Sequence, residues 1–346
     1  MRLRAPFLAA ILAAAATSAV VGITDTTVGA HLNSSPSTQS SSQRVTNAPQ
    51  RITLSPTYSP GQIIRYQMQT TTTSDTHRGG AIRDPQGPTK MTLVWNAITK
   101  LEVLSIGRDS QGQPDGTVRL RSTYEKSDAT ATSGSYDPEA DGTEAKYRAL
   151  EGKFFEFSVD AAGVVSDIVG FEGGSGPGSP IDAVRRSLNQ FSWDTNCPKC
   201  GIAIGQSWGT DAPVPDSPIS GLVWRSHSTY ERNEPCQLAD TPDSSSQVNG
   251  ETCAVILTKL TLAVLKPAKN ATPENYRRMG LTTAGTWTGE GDTLSYVSIS
   301  SGRLVSVTQS STEHMDFTVV HEGGERMSYQ GSVQSHSHLA LLPPTP

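Results

Sequence analysis

Four cysteines are the residues of this sequence whose spacing comes closest to a chemical motif. Cys197 and Cys200 form a Cys-x-x-Cys pair, the arrangement found in each half of a zinc ribbon. The second half is missing, because Cys236 and Cys253 lie 17 positions apart. A thioredoxin-like redox pair would need a helix directly after it, and the Gly-Ile-Ala-Ile-Gly stretch that follows does not start one. Structural disulfides therefore fit this spacing better than a metal or a redox centre.

Two histidines, His336 and His338, lie on one face of a predicted strand, as metal ligands would need to. The strand before it contains His314, and Gly323-Gly324 predicts the turn between the two strands. A two-residue turn would place position 311 opposite His336, so that His314 points to the other face of the sheet. His336 and His338 also share the spacing of the polar residues of their strand. The sequence therefore predicts solvated histidines and no metal site.

The arrangements that catalysis requires are missing from the sequence. Nucleophilic catalysis by serine needs a base beside it, and no Gly-x-Ser-x-Gly motif occurs. Glu144, Glu151 and Glu156 could be considered as a carboxylate pair for glycoside chemistry. The first two flank a short predicted helix, and Glu156 takes the outward position between Phe155 and Phe157, so all three are expected to be solvated. The sequence predicts neither an enzyme nor a bound cofactor.

Composition also limits the range of functions and folds. The chain has a formal net charge of −5, a pI near 5.8 and no run of basic residues, so nucleic acid is not an expected partner. It contains 31 Gly and 22 Pro among 346 residues and is rich in Ser and Thr. Because Gly and Pro interrupt helices while Thr and Val suit a pleated surface, the composition favours strands and turns.

The N-terminus predicts export. Residues 1–30 contain two arginines, an apolar run and small residues that suit cleavage, which indicates a signal peptide. The alternative is an uncleaved anchor helix, and only that segment would attach the chain to a membrane. Residues 31–52 are rich in Ser, Thr, Gln and Pro without apolar periodicity, so they predict a flexible tether. The body is expected to be periplasmic, at the cell surface or extracellular, where the cysteines predict two disulfides, Cys197–Cys200 and Cys236–Cys253.

Between residues 53 and 342, apolar residues mostly recur at every second position, which is the period of a half-buried strand. Ile64, Tyr66 and Met68, for example, share one face. Residues 53–195 are expected to form a first β-meander and residues 196–342 a second. Residues 180–191 have a capped helical pattern and are predicted to form a helix that covers a sheet.

The second half of the chain repeats the order of motifs in the first. Gly205-Gln206-x-Trp208 corresponds to Gly61-Gln62-x-Ile64, and Trp224 corresponds to Trp95. A Tyr-Arg pair in a short predicted helix and a small-residue turn before a strand also occur in both halves. Several matches in the same order indicate an internal duplication.

The fold class expected from these patterns is mainly β, with two related antiparallel curled sheets of half-barrel-like shape and a few short helices. The strand start with Tyr58, Gly61 and Tyr66, and the later Gly205-x-x-Trp208, resemble those of uncharacterised exported bacterial β-rich proteins. More distantly, the arrangement resembles the periplasmic lipoprotein carriers, in which a helix lids an apolar concave sheet. The resemblance spans about residues 55–340 and implies no catalytic residues.

The resemblance implies a non-enzymatic exported envelope protein whose concave sheet binds an apolar small molecule or another envelope protein. The inward aromatic residues Tyr66, Trp95, Trp208 and Trp224 are the candidate ligand-binding residues. The alternative is a structural or adhesive envelope module without a ligand, in which the same aromatics fill the core. More inward aromatics than the helices can cover would favour binding, whereas a sealed core would favour the structural module.

Overall fold

The computed structural model describes residues 51–54, 56–80, 89–134, 142–160, 165–170, 201–214, 217–237, 247–265 and 272–343. Within these ranges the chain forms eleven strands and two short helices. The strands are β1 (Ile63–Gly80), β2 (Thr89–Arg108), β3 (Pro114–Ser133), β4 (Phe154–Val159), β5 (Val165–Val169), β6 (Ser207–Pro213), β7 (Leu222–Gln237), β8 (Gln247–Val264), β9 (Leu281–Ser298), β10 (Leu304–His321) and β11 (Arg326–Leu341). The helices are α1 (Thr143–Arg148) and α2 (Glu274–Arg278). The predicted export segment, the predicted helix at 180–191 and the Cys197–Cys200 pair lie outside the described residues.

All these strands belong to one antiparallel sheet, in the order β5-β4-β3-β2-β1-β11-β10-β9-β8-β7-β6. The two sheets expected from the sequence are therefore a single sheet. The first and last strands, β1 and β11, pair from Tyr66–Leu341 to Gly80–Met327 and so join the two meanders. Unpaired, each of these long strands would expose a full row of N–H and C=O groups, which the pairing satisfies. The two edges that remain, β5 and β6, are only 5 and 7 residues long.

Most strands are far longer than the five or six residues usual in globular proteins, since β2 and β3 each extend over 20 residues. Along most strands, buried and more exposed side chains alternate, so the sheet has an inner face that holds most of the core and an outer face that is largely polar, apart from a small buried cluster that includes Cys236 and Cys253. Arg119 and Arg121 show the outer pattern, because both form ion pairs with Glu156 on the neighbouring strand. The hydrogen bond from Arg121 lowers the pKa of Glu156 below its ordinary value. The prediction that Glu156 faces outward is confirmed.

Two large apolar clusters lie on the inner face at different heights along the strands, and a third, small cluster of Leu93, Ala129 and Ala131 packs against Trp95. The first, here the Tyr66 cluster, draws buried residues from both halves of the chain, including Tyr66, Phe155, Ile202, Tyr230 and Val297. The second, here the Trp287 cluster, belongs to the second half and includes Trp224, Trp287, Met315, Phe317 and Val333. Because one face of a single sheet is buried by side chains from both halves, the sheet curls around its inner face.

The segment before β1 covers one end of the inner face. Ile52 pairs with Ile202 in an isolated antiparallel bridge, and Thr57 donates its backbone N–H to the carbonyl oxygen of Ser301. Leu54, between these contacts, is only 1% exposed and belongs to the Tyr66 cluster. This segment therefore runs from the start of β6 past the β9–β10 turn to the start of β1.

The Gly-Gln motifs of the two halves are built in the same way. The N–H groups of Gly61 and Gly205 donate to carbonyl oxygens of a neighbouring strand, those of Val103 and Tyr230 respectively. Both glycines have a positive φ, +78° and +82°, which a side chain would disfavour. In each motif the glutamine side chain accepts a hydrogen bond from the backbone three residues earlier. The element order strand-strand-strand-helix-strand-strand also occurs in both halves, while the internal duplication itself stays a prediction.

The β10–β11 hairpin turns where the sequence indicates, but its register differs by one residue from the prediction. The loop has three residues, since the N–H of His321 donates to the carbonyl oxygen of Glu325, and Ser310 rather than position 311 lies opposite His336. His314 therefore shares the outer face with His336 and His338, contrary to the prediction. It lies opposite Ser332, four residues along β11 from His336. The three rings are thus spread along the outer face, and no group of three metal-ligating side chains forms among the described residues.

Candidate functional site

The strand register places the inner residues in rows that cross the sheet. One row consists of one polar side chain from each of six neighbouring strands, β1, β11, β10, β9, β8 and β7. In this order they are Thr70, Ser337, Gln309, Thr293, Thr258 and Ser228. The next row adds Thr72, Ser335, Ser311, Ser226 and Thr210, and Gly291 and Leu260 lie between Ser311 and Ser226 in this row. We call these eleven residues the polar belt. It lies between the Tyr66 cluster and the Trp287 cluster, so the inner face is apolar, then polar, then apolar along the strands.

The first row of the polar belt is more accessible than the clusters beside it, whereas the second row is mostly buried. In its first row Thr70, Ser337, Gln309, Thr293 and Thr258 are all half-buried, whereas the cluster residues are mostly less than a tenth exposed. Some hydroxyls bond to one another across strands, such as Ser228 with Thr258 at 2.8 Å and Thr210 with Ser226 at 2.8 Å. Hydroxyl groups can both donate and accept hydrogen bonds. The half-buried first row is therefore a surface that water or the polar part of a ligand can contact.

A tryptophan ends the first row of the polar belt on each side. Trp95 on β2 lies opposite Thr70, and Trp208 on β6 lies opposite Ser228. Both rings are half-buried and pack against the Tyr66 cluster. The two tryptophans therefore offer apolar surface beside the polar row at both of its ends.

The indole groups of the two tryptophans differ in their hydrogen bonds. The Trp95 Nε1–H donates to the Ser127 hydroxyl at 3.0 Å, and its ring lies 5.1 Å from that of Tyr147 on α1, between ring centroids. The Trp208 Nε1 is buried and has no hydrogen-bond partner among the described residues. A buried indole N–H usually has an acceptor. Trp208 therefore presents an unused donor at the edge of the polar belt.

The other two predicted ligand-binding residues belong to the core. Tyr66 is 4% exposed and donates its hydroxyl hydrogen to the carbonyl oxygen of Leu304 at 3.1 Å. Burial raises the pKa of the Tyr66 phenol well above its ordinary value. Trp224 is 5% exposed within the Trp287 cluster. All four predicted aromatics face inward, but the structure distributes them over two clusters instead of gathering them at one point.

Glu313 on β10 is the residue of this region that sequence reasoning missed. It is 2% exposed on the inner face, one row beyond the polar belt and inside the Trp287 cluster. The Trp287 Nε1–H donates to its Oε2 at 2.8 Å, while its Oε1 is buried without a partner in the described part of the chain. Burial raises the pKa of the carboxyl from its ordinary value of 4.5 to about 7. The alternation of β10 contained the signal, because Glu313 occupies the same face as Met315 and Phe317.

Gly289, directly opposite Glu313 on β9, shapes the surroundings of the carboxyl group. A Cβ at this position would lie 3.0 Å from Glu313 Cγ and 3.2 Å from the ring atom Cη2 of Trp224. The missing side chain therefore allows the Trp224 ring to approach the acid from two strands away. Glu313 is bordered by two indole rings, one of which bonds to it.

The cysteines are structural where the structure describes them. Cys236 and Cys253 form a disulfide with a Cα–Cα distance of 5.0 Å, and both are fully buried. This confirms the second of the two predicted disulfides.

Comparisons with known proteins give no family. No protein-family model and no curated protein matches the chain. Among solved structures, an outer membrane channel from Pseudomonas putida F1 aligns with 83% of this chain and 98% of its own at 6% identity and a TM-score of 0.20. The outer membrane protein OprG from Pseudomonas aeruginosa aligns over 82% and 97% of the two chains at 6% identity and a TM-score of 0.14. Scores this low do not establish a shared fold.

The two described helices have only six and five residues. Neither they nor any other helix in the described ranges is long and apolar enough to cross a membrane.

Proposed function

We propose that the protein is an exported, non-enzymatic envelope protein that binds an amphiphilic ligand on the inner face of its curled sheet. The apolar part of the ligand lies against Trp95 and Trp208, and its polar part contacts the polar belt. The observation that supports this most directly is the buried, unused N–H of Trp208 at the end of a polar row in which five of the six residues are half-buried.

The pattern of the inner face supports a ligand over a filled core. A core that served packing alone would be apolar throughout, because a buried hydroxyl without a full set of hydrogen bonds costs free energy. Here polar side chains, five of the six half-buried, cross six neighbouring strands between two apolar clusters. A molecule with a polar and an apolar part would satisfy both kinds of surface.

The structural module remains the second candidate, because one observation favours it. Tyr66 and Trp224 are both buried within the core, as expected if inward aromatics only stabilise the fold. We therefore restrict the proposed contact residues to Trp95, Trp208 and the polar belt.

No described feature suggests catalysis. The carboxylates considered for glycoside chemistry have structural partners: Glu144 accepts a hydrogen bond from the Ala131 N–H at 2.8 Å, and Glu156 pairs with two arginines. These contacts support the non-enzymatic part of the proposal.

Two matched tryptophan substitutions test the binding site. Trp208→Phe keeps an aromatic ring and removes the unused donor, so the affinity for a neutral probe, 1-decanol, should fall about fivefold with little loss of stability. Trp95→Phe removes a donor that already bonds to Ser127, so it should lower stability by about 1 kcal/mol and change the affinity less. Tryptophan fluorescence titration and urea unfolding measure the two effects. Absence of any decanol binding, or equal loss of affinity in both variants, would refute the proposed site.

A further inference from the structure

We propose that Glu313 binds a basic nitrogen of the inner-face ligand, held as an ammonium group against its carboxylate. This inference rests on the proposed function and specifies the chemical class of the ligand. It makes the ligand a cationic amphiphile, whose charged end lies one row beyond the polar belt.

The first argument is that packing does not explain an acid at this position. The other members of its row are small or apolar: Ser74, Val333, Gly289, Leu262, Trp224 and Ala212. A carboxyl group in such surroundings is costly unless it is paired. Only one of its oxygens is bonded, by the Trp287 indole, and Oε1 has no partner in the described residues. Oε1 can therefore accept a hydrogen bond from one further donor.

The second argument is the aromatic residues that surround this carboxyl group. Trp287 stacks on Phe317 with ring centroids 6.2 Å apart, and Phe317 stacks on Tyr329 at 5.0 Å. Trp224 approaches from the other side, across Gly289. The faces of aromatic rings attract cations, and the attraction is strongest where water is excluded. A carboxylate beside several such rings is suited to an ammonium group rather than to an anion.

The third argument is that, in the part of the chain that the structure describes, no cationic side chain lies beside Glu313. The inner positions beside Glu313 are Trp287, Gly289 and Gly291 on β9, Gly331, Val333 and Ser335 on β11, Ser311 and Met315 on β10, and Trp224 and Ser226 on β7. None of these side chains is charged, and the nearest titratable or charged groups along these rows are the phenol of Tyr329 and the guanidinium of Arg78, which lie opposite each other two rows away. The positive charge that would pair with the acid must therefore come from the ligand.

The experiment compares three probes of equal chain length, decylammonium, 1-decanol and decanoate, on the full mature protein. Tryptophan fluorescence titration at pH 8 measures their affinities for the wild type, for Glu313→Gln and for a control, Glu290→Gln, whose side chain is exposed on the outer face. Glutamine keeps an acceptor for the Trp287 N–H, so the variant is expected to fold. Glu313→Gln should weaken decylammonium binding about ten- to hundredfold and leave decanol binding unchanged. Glu290→Gln should change neither.

The pH dependence adds an independent result. An ammonium group binds the ionised carboxylate, which is the minor form below a pKa of about 7. The affinity of the wild type for decylammonium should therefore rise about tenfold between pH 6 and pH 8, and the rise should vanish in Glu313→Gln.

The outcomes separate the two proposals. If none of the three probes binds, the proposed function fails. If decanol binds through Trp208 but decylammonium shows no preference, or keeps its preference in Glu313→Gln, the binding face stands and the role of Glu313 is overturned.

Discussion

The buried carboxyl of Glu313 makes a quantitative prediction about stability. Its pKa is about 7 in the folded chain and 4.5 at its ordinary value, so the folded protein holds this proton to higher pH than the unfolded chain does. Between these two values the unfolded chain ionises first, and stability falls as pH rises. One pH unit corresponds to about 1.4 kcal/mol, so the full difference amounts to about 3 kcal/mol. Glu313→Gln removes the titrating group, so the variant should not show this fall in stability with rising pH.

The assay is urea unfolding of the wild type and Glu313→Gln at pH 5, 6, 7 and 8, followed by tryptophan fluorescence. The difference between the unfolding free energies of the variant and the wild type should change by about 2.5 kcal/mol in favour of the variant between pH 5 and pH 8. Most of this change should occur below pH 7. The slope of the unfolding free energy against urea should be the same in both, because the surface exposed on unfolding is unchanged. Parallel pH profiles for the two proteins would show that Glu313 is not buried as described.

Two further predictions concern stabilising contacts outside this site. The double variant Cys236→Ala/Cys253→Ala removes the disulfide that joins β7 to β8 and should lower the free energy of unfolding by about 3 kcal/mol in urea; an unchanged unfolding midpoint would contradict a structural role. Glu156 has a lowered pKa because Arg121 and Arg119 hydrogen-bond to its carboxylate, so this stabilisation is present above pH 4.5 and is lost as pH falls through the lower folded pKa. Glu156→Gln should therefore reduce the thermal midpoint at pH 7 and reduce it less at pH 3, and an equal reduction at both pH values would exclude the ion pairs as its cause.

The local features of the fold could be predicted from the sequence. The alternation that places Ile64, Tyr66 and Met68 on one face is a property of neighbouring residues, and the structure buries all three. The position of the β10–β11 turn was predicted for the same reason. Its register was not, because a three-residue loop and a two-residue loop both suit Gly323-Gly324, and one residue moves His314 to the opposite face.

The single sheet could not be predicted from local pattern. It depends on the pairing of β1 with β11, strands from opposite ends of the described body, and alternation in each strand is satisfied equally well by two sheets or by one. The same holds for the candidate site. The polar belt exists only because the register aligns isolated Ser, Thr and Gln residues of seven strands, each of which looks like an ordinary strand residue in the sequence.

Glu313 is a different case, because the alternation of β10 in the sequence already places this glutamate among apolar inner residues. A glutamate in step with Met315 and Phe317 departs from the apolar inner face of β10. Deviations of this kind are expected at functional positions, where a local rule is broken for a purpose other than stability.

The central claim is that the inner face holds an amphiphilic ligand, and native mass spectrometry of the protein purified from its own envelope tests it most directly. The spectrum is recorded before and after extraction with organic solvent. We predict an additional mass in the range of a lipid or smaller amphiphile, which extraction removes and which contains a basic nitrogen. A bare polypeptide mass in both spectra, together with no binding of decanol or decylammonium, would contradict the claim and favour the structural module.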